Sequence, residues 1–217
     1  SAQEIALNHG RGGSAVFVLV VSGPAFAQQW TEYVSREDFF SVNFPGQPDV
    51  RDITYATEYG ITLPGRVHSR EDGPNRYSVT VIDYSTAQQI HTERSKRCTG
   101  YPDTCGNRWM VELRGAMDYA ASKFILKRDA RVTLYAYYWS DLVEGRRLQL
   151  TNDDGSNTFV AIHLHENRLY ILEGTVSPTP PPPALFQQSL GFIDKEGKRV
   201  RYETIYDNAY PPPPRTR

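Results

Sequence analysis

The sharpest chemical feature of this 217-residue chain is the run His163-Leu164-His165-Glu166. On a β-strand, residues i and i+2 point to the same side, so two neutral imidazoles at this spacing are able to chelate a metal. A metal site needs three or four ligands, and His68 or Glu166 would have to supply the third. On that reading the protein is a metal carrier or a metal-dependent hydrolase. On the plainer reading His163 continues the face of Phe159 and Ala161, and His165 opens the turn before Arg168. The acidic turn Asn152-Asp153-Asp154-Gly155 lies at the far end of the intervening strand, roughly 30 Å away at about 3.3 Å per residue. The two turns cannot share an ion. A calcium loop is not present either, since the closing Glu of the twelve-residue pattern is missing.

Nucleophilic catalysis finds no support in the spacing of residues. The chain has no Gly-x-Ser-x-Gly elbow, no His-Glu-x-x-His helix and no glycine-rich phosphate loop. We therefore expect neither an enzyme nor a cofactor.

Tyr135, Tyr137, Tyr138 and Trp139 make one segment richer in amphipathic rings than a core strand requires, because Tyr and Trp carry polar atoms that seek partners or water. Alternation puts Tyr135, Tyr137 and Trp139 on one side, opposite Leu134, Ala136 and Tyr138. That face either receives a partner or a small amphipathic ligand, or lies beneath a helix.

Cys98 and Cys105 sit among Gly100, Pro102 and Gly106, as in a bent loop. Their spacing fits neither the Cys-x-x-Cys redox motif nor a zinc ligand set. In an oxidising compartment they are expected to form a disulfide.

Holding these residues in place requires a sheet. Arg131–Trp139, Arg146–Thr151, Thr158–Leu164 and Arg168–Val176 are β-type runs separated by short polar turns, the pattern of an antiparallel meander. Earlier in the chain, Phe40, Val42 and Phe44 alternate onto one face, Asp52–Tyr59 and Gly65–Arg70 suggest a hairpin, and Tyr77–Tyr84 is a strand. Ser85-x-x-Gln88 has the form of a capping box, predicting a short polar helix over Gln88–Lys96. Leu113, Ala116, Met117, Ala120, Ala121 and Phe124 recur at spacings of three and four, predicting a helix from about Val111 to Lys127 with its stripe on the sheet. A short helix is expected over Ala184–Phe192, and Arg199–Tyr206 is a last strand or extended arm.

A hydrophobic content of 39% and a formal charge of -1 describe an ordinary globular domain, with no basic face for nucleic acid. The opening residues carry His9 and Arg11, the apolar run Ala15–Val21 and the small-x-small ending Ala25-Phe26-Ala27. These are the parts of a secretory signal peptide over residues 1–27. The apolar run is far below the roughly 20 residues that span a bilayer, so no transmembrane anchor is expected after cleavage. Residues 28–217 then form one periplasmic or secreted α+β domain ending in a proline-rich tail. Polyproline-type segments are read at Pro178–Pro183 and Pro211–Pro214.

The segment Phe40-Ser41-Val42-Asn43-Phe44-Pro45-Gly46-Gln47-Pro48 and the order strand, hairpin, strand, helix, helix, meander, helix resemble the PsbP-like α/β/α sandwich. The resemblance runs from about Trp30 to Tyr206, and extends to a group of small exported proteobacterial proteins of that fold. It implies an antiparallel sheet with helices packed on it and a non-enzymatic binding or assembly role with a periplasmic partner. The family's partner-binding positions do not carry over, because the chain has neither a matching basic surface cluster nor a lipid-anchor Cys.

Overall fold

In a computed structural model of the chain, residues 30–101, 105–178, 184–207 and 215 are described. The expected signal peptide and the Pro211–Pro214 segment lie outside the described residues, as does the Pro178–Pro183 segment apart from Pro178.

The meander forms as the alternation requires. Strands β6 (Ala130–Ser140), β7 (Val143–Asn152), β8 (Asn157–His165) and β9 (Arg168–Val176) pair antiparallel in sequence. The chain's earlier strands β3 (Asp49–Ala56), β4 (Thr62–Asp72) and β5 (Asn75–Asp83) join them through β5 and β9. The result is a seven-stranded antiparallel sheet in the order β3-β4-β5-β9-β8-β7-β6. Central strand β8 is buried on both faces, which is why its sequence is nearly continuous in apolar residues rather than alternating with charge. The two-residue turns Asp141-Leu142, between β6 and β7, and Glu166-Asn167, between β8 and β9, have positive φ at both positions. That is the backbone twist that lets a tight hairpin follow the twist of its strands.

Helices α1 (Ala87–Arg97) and α2 (Trp109–Ile125) cover one face of this sheet. The predicted stripe of α2 is the buried one: Ala116, Met117, Ala120, Ala121 and Phe124 pack with Leu148, Leu150, Ile162 and Leu164. The expected capping box is not formed. Helix α1 is capped at Thr86 without a side-chain hydrogen bond, and the Ser85 amide donates instead to Asp83 Oδ1.

The other face differs from the expectation of helices alone. It is covered by a second, three-stranded sheet of β1 (Thr31–Ser35), β2 (Phe40–Phe44) and β10 (Gly191–Phe192), together with the one-turn helix α3 (Ala184–Gln188). Phe40, Val42, Phe44, Phe186, Leu190 and Phe192 pack there on Tyr77, Val79, Tyr170 and Leu172. The Arg199–Tyr206 segment is an arm and not a strand: it makes isolated bridges from Arg199 to Ile193 and from Tyr206 to Val143. The architecture is α+β, with two antiparallel sheets and helices on the larger one. Among the described residues no helix is long and apolar enough to cross a membrane.

Candidate functional site

Strand β6 is an outer edge of the large sheet, and its side chains alternate as the sequence predicts. Tyr135, Tyr137 and Trp139 stand opposite Leu148, Arg146 and Glu144 of β7, on the side that carries α2. Helix α2 packs mainly on β7 and β8 and reaches these rings through Asp118 without covering them. They stay 46%, 64% and 46% exposed, so the helix-covered alternative does not hold.

Charged groups fix these rings from below. The Arg146 guanidinium lies 4.4 Å from the centre of the Tyr137 ring. Its Nε donates to Asp118 Oδ1 of α2 at 2.8 Å and its Nη1 to Glu144 Oε1 at 2.9 Å. The Tyr135 hydroxyl donates to the same Asp118 oxygen at 3.1 Å. Burial lowers the pKa of Arg146, but hydrogen bonds to two carboxylates outweigh it and hold the guanidinium more firmly protonated than usual. Burial, then the Asp118 carboxylate, push the Tyr135 phenol up. What results is a row of neutral, amphipathic rings with one stacked cation, which suits contact and not proton transfer.

His163 and His165 point to one side of β8, as their spacing requires, but that side is core. Tyr138, Phe192, Tyr202 and Tyr206 surround them. His163 Nδ1 is 3.3 Å from the Glu144 carbonyl oxygen, and its Nε2 is buried without a partner. His165 Nε2 is 2.7 Å from the Tyr202 hydroxyl. Burial holds His163 down to about 4. It holds His165 at about 3, with the Arg215 and Arg168 charges adding to the effect. Neither supposed third ligand comes to them: Glu166 sits in the β8–β9 turn and pairs with Arg215, while His68 pairs with Asp38. Among the described residues no group of three or more His, Cys, Asp and Glu side chains is placed to hold a metal ion. Cys98 and Cys105 are joined in a disulfide between α1 and α2.

Two polar clusters escape sequence reasoning. In one, Asp38 is buried in the β1–β2 turn, 2.8 Å from His68 Nε2, and accepts from Arg66 Nε at 3.0 Å and Nη2 at 2.7 Å. The Tyr33 hydroxyl is 3.0 Å from His68 Nδ1. Burial opposes ionisation of Asp38, yet the His68 and Arg66 hydrogen bonds win and hold its carboxyl below the usual range. In the other cluster, His91 of α1 meets Glu112 of α2, both buried beside the disulfide loop. Arg66 and His68 share a strand face by their spacing, but nothing local names Asp38 or Glu112 as partners.

On the uncovered end of the α2 side, a hollow of about 620 Å³ is lined by Asp49, Arg51, Glu71, Arg76 and Glu173 among others. Its charges balance, and neither His68, His163 nor His165 lines it.

No family model matches the chain, and no curated protein does. Several solved structures are similar to it, two of them as follows. The solution structure of cyanobacterial PsbP from Synechocystis sp. PCC 6803 is 10% identical, with a TM-score of 0.44 over 80% of this chain and 98% of that one. The protein PA94 of Pseudomonas aeruginosa is 10% identical, with a TM-score of 0.29 over 71% of this chain and 88% of that one. Neither likeness transfers a role to any residue.

Proposed function

We propose that this chain is a non-enzymatic binding or assembly module that works outside the cytoplasm through the β6 face. The observation that carries the reading is the exposure of Tyr135, Tyr137 and Trp139 side by side on a sheet edge. Three large rings offer contact area with few rotors to freeze, and Arg146 beneath them is already immobilised by Asp118 and Glu144. An exported location is supported by the composition of residues 1–27 and by the Cys98–Cys105 bridge, which suits an oxidising compartment. The partner is a periplasmic protein or a small amphipathic ligand.

The test is capture from a periplasmic extract by immobilised protein. Wild type should retain a partner that the Tyr137→Ala, Trp139→Ala double variant loses, with an unchanged circular dichroism spectrum and melting temperature. Equal capture by both proteins would refute the β6 reading.

A further inference from the structure

Resting on that reading of the face, we infer that the partner of the β6 edge is a second copy of this chain, paired antiparallel about a two-fold axis through Tyr137. Natural edge strands are normally guarded by charge, proline or irregularity, because an open edge is a template for another strand. The opposite edge of the sheet obeys this rule: β3 carries Asp49, Arg51 and Asp52. On β6 the guard is confined to one end. The register shifts between Val132 and Leu134, and the strand's single charge, Arg131, lies beyond that irregularity. The remaining stretch, Leu134–Ser140, is uncharged, and no described strand pairs with its outer side.

That stretch is complementary to itself. With Tyr137 opposite its own copy, Tyr135 faces the second copy's Trp139, and Trp139 faces its Tyr135. Directly opposed residues of an antiparallel pair share a face, so all six rings meet on the α2 side. On the reverse side each Ala136 lies opposite a Tyr138, small against large. No like charges oppose each other anywhere in the seven-residue register. A foreign strand would need these features supplied separately, whereas a second copy brings them by symmetry.

The area sets the strength. At about 200 Å² per ring, the exposed fractions of the three side chains amount to roughly 300 Å² per copy, or about 600 Å² for the pair. The strand backbones and the Leu134 and Tyr138 side chains bring the total to about 1,000 Å². Stable interfaces bury about 1,200–2,000 Å², so the dimer is a reversible one, dissociating on dilution.

Sedimentation velocity of the full chain over a wide concentration range tests this. Wild type should shift from monomer to dimer as concentration rises. Tyr137→Lys places two ammonium groups across the axis and should weaken association at least about tenfold, while Tyr137→Phe should dimerise like wild type. Both variants are surface changes whose folding is checked by thermal melting. A wild type that stays monomeric throughout, or a Tyr137→Lys protein that dimerises as well as wild type, overturns the inference. If such a monomer nevertheless captures an extract partner through Tyr137 and Trp139, the face serves a foreign partner: the second-copy inference fails and the functional reading survives.

Discussion

Gly145 shows how closely a single residue is fitted to the core. A Cβ built there would lie 2.4 Å from His163 Nδ1 and from the Ile162 carbonyl oxygen. The imidazole of His163 therefore occupies the space that a side chain on β7 would need. Gly145→Ala should destabilise the protein by about 1–3 kcal/mol, as overpacking does in a close-packed interior. Urea denaturation measures it, and an unchanged midpoint would mean that β7 shifts freely. His163 itself makes stability depend on pH. Its folded pKa of about 4 lies below the ordinary 6.5, so between these values the unfolded chain binds more protons than the native one. Stability is full above pH 6.5 and falls as pH drops toward 4, by on the order of 3 kcal/mol from this one group. His165 acts in the same direction and over a wider window, down to about 3. His163→Asn should remove about one proton from the pH slope of stability in this range. An unaltered slope would contradict a buried, neutral His163.

At the scale of elements, the disulfide ties the end of α1 to the loop before α2. Closing a loop of about eight residues limits the unfolded chain and stabilises the fold by roughly 2.5 kcal/mol in the chain-entropy model. The Cys98→Ala, Cys105→Ala double variant should melt earlier by a corresponding amount, and thiol labelling of unreduced, denatured wild type should find no free thiol. The strongly periodic elements were legible in advance. The four runs of the meander are β6 to β9 within a few residues, and the apolar stripe of α2 is its buried face. What the sequence hid depends on pairing over long separations. Phe40 pairs with Phe192, and His68 meets Asp38 thirty positions away. Strand β1, Thr-Glu-Tyr-Val-Ser, is too short and polar to declare itself, and two-residue β10 exists only because β2 offers it an edge. The candidate face was half legible: alternation put Tyr135, Tyr137 and Trp139 together, but where α2 ends relative to β6 is a tertiary fact. The histidine pair misled for a related reason. Its same-side geometry was correct, yet the layer of Phe192, Tyr202 and Tyr206 that buries it comes from the last quarter of the chain.

For the molecule as a whole, the question is what fastens the small sheet to the large one. Apolar packing of Phe40, Phe44 and Phe192 holds the layers together without direction, and the Asp38 cluster gives them a fixed mutual position. Asp38 belongs to the turn of the small sheet, whereas Arg66 and His68 belong to β4 of the large one. Its backbone carbonyl also accepts from the Tyr170 hydroxyl of β9 at 2.9 Å. A buried carboxylate bound to a guanidinium and an imidazole is costly to break, because removing one partner leaves the other charge buried and uncompensated. Asp38→Asn keeps the size of the side chain but leaves Arg66 with only Glu37 as a charged partner. We expect a loss of about 3 kcal/mol, expressed unevenly. Hydrogen exchange of β1 and β2 amides should quicken far more than that of α2 or of β8, because only the first pair depends on this anchor for its seat. Because the folded pKa of Asp38 is depressed, its contribution is present above the ordinary carboxylate pKa and is lost as pH falls through the folded value. Acid should therefore loosen the small sheet first in wild type, reproducing at low pH the exchange pattern of Asp38→Asn at neutral pH. Uniform acceleration across both sheets would show instead that the layers unfold as one unit and that the cluster does not position them.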